Sequence, residues 1–592
     1  MTKLKNVFKE HWFIFLLAGF FCIFLNWPLI RSIHSLGIEN FRGVYPMFVD
    51  DAEHYITRTQ EVLSGHPGLG NAYLAEHKGE PYMSPPLAEI VFAYTAKTLH
   101  ISVPAFFAWQ GFLFPFLCFI FFYFILFYTS KSKIVSLFLA LLFFLISPRQ
   151  FSRPIIQQFI FLPFFLGSYF IWQFYNENKQ KSIYVINIII TSLVGLLVYI
   201  SPYFWSPLFL LFHLTLFTAA FIRKDVRYYF KNLGLSVLIF GLWVAPYLIN
   251  LFKAVKSPWY AETVVRFGML NTHWPAAFFN VLPVFICLAA LLFIFRKTER
   301  VKFYFIGIIL LTALAINWQN IITGHYLLFS SHYMDVTIFL VLWSAAMIGA
   351  GAKEKLYFNK GLFSPTISIV LLLVVVIFFG YRHRGEFPFI LNSGFNKEEM
   401  SRIQDMRPVF DWLNYNTERD SVLYLLGGDY DMYYLRNIFY TIYTHNNTYY
   451  NGYPGMFLVS NDELLERYLR SLIFDPEANE EFIRQYAYRT RAVEFLSDYQ
   501  NKLIRNKTWG KIPGINFKIP ELIPDGFNDE AVRRFLEIKK QNPMEVLKKY
   551  DVDYILLSLD DPRFSSQKEI LDSLDSAEPI VEISNILIYK VN

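Results

Sequence analysis

Eleven apolar stretches fill most of the first 380 residues, and polar loops separate them. They lie near 11–32, 104–128, 133–148, 155–175, 183–201, 203–222, 233–251, 276–295, 302–317, 334–351 and 362–380. A helix that crosses a bilayer needs about 20 mostly apolar residues. In lipid only helices or closed barrels satisfy the backbone, so stretches of this length read as helices. The chain is 54% hydrophobic and only 17% charged, which excludes an ordinary soluble protein of 592 residues. The expected fold class is an α-helical polytopic membrane protein of about eleven spans, with a C-terminal α/β domain outside the membrane.

The charges set an orientation. Alternate loops are basic: Lys131 and Lys133; Lys179 and Lys181; Arg223, Lys224, Arg227 and Lys231; Arg296, Lys297, Arg300 and Lys302; Lys353, Lys355 and Lys360. The intervening loops hold far fewer cations, and positive loops stay on the cytoplasmic side. The N-terminus is therefore expected inside, and the 34–103 loop and the tail outside. Many basic residues sit in these loops, so the net charge of +6 does not point to nucleic acid. Lys3, Lys5 and Lys9 precede an apolar run without a small-residue cleavage site, so an uncleaved first helix is expected. Cys22, Cys118 and Cys287 lie in apolar runs and read as buried thiols, with no metal or disulfide spacing.

Composition changes near residue 381. Residues 401–415 follow a helical period, Ser421–Leu426 reads as a buried strand, and Met544–Tyr550 as a helix. Asp553–Leu557 reads as a second strand, and 581–591 as one or two more. The expected division is a membrane domain at 1–380 and an outer α/β domain at 381–592. The Gly427-Gly428-Asp429 turn lacks the spaced glycines of a nucleotide-binding loop.

Candidate chemistry concentrates in the first outer loop. Asp50 and Asp51 lie just beyond the first span, followed by Glu53, His54, Tyr55 and Arg58. Such an acidic pair can serve as a general base, bind a metal or hold a cation. Asp51 also suits a helix cap, with Tyr55, Thr59 and Val62 on the buried face. Glu76 and Glu89 are further candidates. Glu89 follows Pro85-Pro86 where the chain nears the membrane, and a charge there is paired or functional. Arg149 and Arg153 flank a tight, acid-free outer turn and suit a phosphate clamp, against a plain interfacial reading. Gln319, His325 and His332 line the loop after the ninth span, where Thr323-Gly324 suggests a broken backbone lining a cavity. Arg266 and His273 are weaker candidates.

Asp51, Tyr55 and Gly65 form a spacing that resembles the GT-C superfamily of membrane glycosyltransferases. That superfamily includes protein O-mannosyltransferases, aminoarabinose transferases of lipid A and oligosaccharyltransferases. The run 317–324, followed by His332-Tyr333, resembles a stretch in bacterial members. The resemblance implies an inverting sugar transfer from a polyprenyl-phosphate donor to a glycan, lipid or protein acceptor. It implies Asp51 as the base, with Asp50 second, and a donor phosphate leaving on an arginine. Tyr55, Arg58, Glu76, Glu89, Arg149, Arg153, Gln319, His325 and His332 become candidate substrate-binding residues. Two departures stand out. Asp51 is followed by Ala52 rather than Glu, and the second outer loop carries no acid. Metal-independent chemistry without a cofactor is expected, in a bacterial inner membrane. The competing readings are a transporter or flippase and a non-catalytic envelope assembly protein.

Overall fold

The computed structural model describes residues 2–47, 52–146, 151, 156–177, 179–201, 203–266, 270–271, 273, 281–295, 300–326, 332–357, 363–382, 384–426, 430–450, 454–491, 523–574 and 576–592. The chain forms two compact units. The first comprises Met1–Arg31, Phe107–Leu248 and Thr272–Gly394. The second comprises Ser32–Phe106, Ile249–Asn271 and Phe395–Asn592.

The first unit is helical, and a helix stands at each of the eleven expected apolar stretches. Among the described residues fewer than eleven satisfy length and hydropathy together. Six helices do so among the described residues, and a bent pair, Lys9–Leu25 with Trp27–Leu36, makes a seventh. The helices Lys133–Ile146, Leu282–Phe295 and Phe363–Arg382 are also apolar. The bend of 56° falls at Asn26. Its side-chain amide donates to the carbonyls of Cys22 and Gly111, both at 2.8 Å. A Cβ at position 111 would lie 2.8 Å from Asn26 Oδ1, so the close approach needs glycine there.

The helix His332–Tyr357 occupies the interior of this unit, with 89% of its apolar window buried. Between Val336 and Ala352 it carries no charged residue, as a surrounded helix requires. Phe339 stacks on Phe165 at 5.1 Å, and the Trp343 indole donates to Thr129 Oγ1 at 3.2 Å. The helix Val226–Lys256 is the opposite case: only 6% of its apolar window is buried. All three cysteines are buried free thiols, as expected.

The second unit is built on a five-stranded mixed sheet. Its strands are β1 Val422–Leu426, β2 Asn447–Thr448, β3 Val552–Ser558, β4 Ala577–Ile583 and β5 Ile586–Val591, in the order β2-β1-β3-β5-β4. Strand β1 runs parallel to β2 and β3, whereas β5 runs antiparallel to β3 and β4. Strand β1 is a continuous apolar run because both its faces are covered. Val422, Tyr424 and Leu426 pack with Phe474 and Tyr589 on one face. Leu423 and Leu425 pack with Phe410, Leu413 and Val44 on the other. Val44 belongs to the loop after the first span. Gln404, itself buried, accepts from the Arg42 and Val44 amides and donates to the Val44 carbonyl at 2.7 Å. The predicted helices of the tail are present, with the 401–415 stretch divided into Lys397–Asp405 and Arg407–Asn416. Pro408 stands in the first turn of the second helix, where its missing N–H costs nothing.

Candidate functional site

The helix Ala52–Ser64 begins one residue after Asp51. Asp50 and Asp51 themselves lie outside the described residues, as do Arg149 and Arg153. Gly65, at φ +116°, ends the helix in a conformation that only glycine adopts readily. The helix is polar in sequence yet buried on most sides. Glu53, His54, Thr57, Arg58, Thr59 and Glu61 are all buried, and Tyr55 is half-buried. Burial of this many polar groups is expensive unless each finds a partner.

Arg58 and Glu89 meet that requirement together. Both side chains are fully buried, and Arg58 Nε donates to Glu89 Oε1 at 2.6 Å. Glu89 lies in the first turn of the helix Leu87–Thr98, just after Pro85-Pro86. Arg58 Nη2 donates to the carbonyls of Ser84 and Pro85 at 3.0 and 3.4 Å. The arginine thus holds both the carboxylate and the proline turn that leads to it. Arg58 Nη1 and Glu89 Oε2 are buried without a hydrogen-bond partner among the described residues. Such atoms call for a water or a ligand.

His54 lies one turn before Arg58. Its Nδ1 shares a hydrogen bond with the Tyr73 hydroxyl at 3.0 Å, and Phe457 packs at a ring distance of 5.9 Å. Complete burial, and then the Arg58 charge, push its pKa well below the usual value. His54 is neutral at neutral pH.

Glu61, at the far end of the helix, enters a second cluster. Lys78 Nζ lies 2.5 Å from Glu61 Oε1 and 2.8 Å from Asp420 Oδ1, while His66 Nε2 lies 2.9 Å from Asp420 Oδ2. Burial raises the Glu61 pKa, and Lys78 opposes that rise only in part. Burial would also raise Asp420, but its bonds to Lys78 and His66 outweigh this and lower it. The donor atoms of Glu61, His66 and Asp420 lie within 4.8 Å of one another, close enough to hold a cation. The Lys78 ammonium already supplies the positive charge to two of them.

Glu76 belongs to a third cluster. Its Oε2 lies 2.8 Å from Arg467 Nη2 as an ion pair, and Arg467 Nε donates to Glu463 at 2.9 Å. His77 Nε2 lies 3.0 Å from the other Glu463 oxygen. The Arg467 guanidinium lies 3.7 Å from the Tyr550 ring centroid. Burial would raise Glu463, yet His77 and Arg467 lower it. Arg266, a weaker candidate in sequence, is a buried strap. It donates to the carbonyls of Gly455, Phe457 and Val459, to Asn461 Oδ1 and to Thr263 Oγ1.

The remaining candidates belong to the first unit. After Trp318 the helix Arg300–Asn317 gives way to the short helix Gln319–Thr323, closed by Gly324 at φ +71°. The backbone is broken there, as the sequence suggests. Gln319 Oε1 accepts from Thr323 at 2.7 Å, and His273 Nδ1 bonds the Ile321 carbonyl oxygen at 2.9 Å. His332 opens the interior helix, with its ring 5.2 Å from that of Tyr203. Tyr333 shares a hydrogen bond with Ser206 at 3.3 Å. His325 lies in the two-residue strand His325–Tyr326. The structure therefore joins Arg58 to Glu89, whereas Glu76 answers Arg467 and Gln319 answers its own helix. Sequence reasoning did not single out Glu61, Asp420 or Glu463 as site residues. Their only signal is a carboxylate in an amphipathic helix or before a strand, which most surface positions share.

No protein-family model matches the chain, and no curated protein matches it. Solved structures of similar course exist. ArnT from Cupriavidus metallidurans in its apo state is 10% identical with a TM-score of 0.42, over 97% of this chain and 98% of that one. The oligosaccharyltransferase of Archaeoglobus fulgidus, in complex with zinc and sulfate, is 13% identical with a TM-score of 0.42, over 95% of this chain and 80% of that one.

Proposed function

We propose that this protein is a membrane glycosyltransferase of the GT-C type, with Asp51 as its general base. The observation that carries the reading is the buried Arg58–Glu89 pair, which locks the helix that starts one residue after Asp51. It also leaves Arg58 Nη1 and Glu89 Oε2 buried without a hydrogen-bond partner among the described residues. A chain of membrane helices does not need a fully buried ion pair in its first loop for stability, because apolar packing serves as well. A base that must be held in one orientation does need a rigid support.

In this reading the donor is a sugar on a polyprenyl phosphate. Asp51 takes the proton of an acceptor hydroxyl as its oxygen attacks the anomeric carbon. The bond from that carbon to the phosphate oxygen breaks, the polyprenyl phosphate leaves with the electron pair, and the configuration inverts. Arg149 and Arg153 receive the phosphate charge, for which the guanidinium fork is suited. Asp50 is the second base. Tyr55, Arg58, Glu89, Gln319, His325 and His332 bind the substrates. Glu76 is kept in this set, with its bond to Arg467 as a constraint on its role. The reaction uses no metal and no cofactor. The acceptor is a glycan, a lipid or a protein on the outer side of a bacterial inner membrane. The tail, from 381 to 592, shapes its approach.

The test is sugar transfer by the purified protein in lipid from a panel of radiolabelled polyprenyl-phosphate sugars. Turnover with one donor supports the transferase reading. No release from any donor, with solute or lipid movement across the bilayer instead, would favour a transporter.

A further inference from the structure

The helices Trp205–Arg223, Val226–Lys256 and Arg300–Asn317 enclose a cleft of about 730 Å³ in the first unit. This is within the size range of ligand pockets, roughly 300–1,000 Å³. Its walls are apolar and aromatic, with Phe217, Phe221, Tyr229 and Phe230 among them. Phe221 is 68% exposed and Phe230 63% exposed, so most of each ring's surface is left uncovered by the unit. Lys224 and Arg300 are the charged residues of the lining, which includes no carboxylate among the described residues. Neither cation forms an ion pair with a described residue. The nearby Asp225 carboxylate is engaged by the Tyr228 amide at 2.9 Å.

We propose that this cleft binds an anionic membrane glycerophospholipid, with its phosphate between Lys224 and Arg300 and an acyl chain along the phenylalanine wall. The combination matches that ligand on both counts. Basic pockets between membrane helices recognise anionic headgroups, and an exposed apolar groove at membrane depth accepts a chain. A second copy of this chain offers the same two cations and would repel them. The polyprenyl-phosphate donor is disfavoured, because Lys224 and Arg300 belong to the basic loops, expected on the side of the membrane opposite the first outer loop. The inference rests on the membrane-spanning helices and not on the proposed transferase activity.

The experiment is native mass spectrometry of the full-length protein in detergent, titrated with phosphatidylglycerol, phosphatidylcholine or undecaprenyl phosphate. Wild type is expected to prefer phosphatidylglycerol. The double variant Lys224→Gln/Arg300→Gln should weaken that lipid roughly 30-fold, about fivefold for each cation, and leave phosphatidylcholine unchanged. Equal binding of the two phospholipids, or a preference that survives the double variant, overturns the proposal. Displacement of phosphatidylglycerol by equimolar undecaprenyl phosphate overturns it too and makes the cleft a donor site. If the double variant does not fold, wild type with a photoreactive phosphatidylglycerol decides. Labelling within 217–230 or 300–304 supports the site, and labelling only elsewhere rejects it.

Discussion

Arg58 and Glu89 form an ion pair from which solvent is fully excluded, with Nε 2.6 Å from Oε1. The pair joins the helix after Asp51 to the helix that follows the Pro85-Pro86 turn. Its loss has a distinctive signature. Arg58→Met leaves the Glu89 carboxylate buried and alone. Removal of one partner from a buried pair costs about 3–5 kcal/mol. Arg58→Met/Glu89→Met removes both charges and should recover most of that stability. A thermal melt of the two variants checks this. If the double variant is no more stable than the single, the pair is not an isolated electrostatic unit.

His54 predicts a pH effect on stability. Its folded pKa lies well below the ordinary imidazole value, because burial and Arg58 disfavour the cation. The unfolded chain therefore binds more protons below about pH 6.5, and stability falls as pH drops through that value. His54→Gln should flatten the melting curve between pH 7 and 5 relative to wild type. An unchanged slope in that window would place the proton elsewhere.

Asp420 and Glu463 act in a lower window. Both carboxylates are held below their usual range, by Lys78 and His66 in one case and by His77 and Arg467 in the other. Their stabilisation is complete above the unfolded value, about 4, and is lost as pH falls through the folded value. Asp420→Asn and Glu463→Gln should each lower stability at pH 7 and reduce the acid sensitivity below pH 4. Glu61 has the opposite sign, since burial raises it. Glu61→Gln should therefore cost less at pH 7 than Asp420→Asn. Melts at pH 7 and pH 3.5 distinguish the three.

Arg266 offers a test of shape rather than charge. Its fork bonds three carbonyls and two side-chain oxygens. Lysine keeps the charge but lacks the planar fork. Arg266→Lys should destabilise the second unit by roughly 2–4 kcal/mol, since hydrogen bonds to charged groups contribute about 1.5–3 each without full additivity. Retention of the wild-type melting point would show the strap to be dispensable.

The parts that sequence predicts well are those that local pattern dictates. A helix stands at each of the apolar stretches, and β1 and β3 lie where continuous apolar runs meet turn residues. The break before Gly324 is legible in Thr323-Gly324, whereas the bend at Asn26 is a finding of the structure. The ion pairs were not legible. Glu89 drew notice as a charge after two prolines, but nothing local assigns it to Arg58. Glu61 and Asp420 meet on one ammonium across the chain, as Glu76 and Glu463 meet on Arg467. Such pairing depends on tertiary placement, which periodicity does not encode. The inclusion of 32–106 and 249–271 in the unit that holds the sheet is legible only from contacts of this kind.

The most direct test of the account is the sugar-transfer rate of Asp51→Asn beside wild type, with donor binding measured on the same samples. The account predicts a loss of about 10²–10⁴-fold in turnover, the usual contribution of a general base, with donor affinity and melting point unchanged. Turnover equal to wild type at equal donor occupancy would contradict it and move the base away from Asp51.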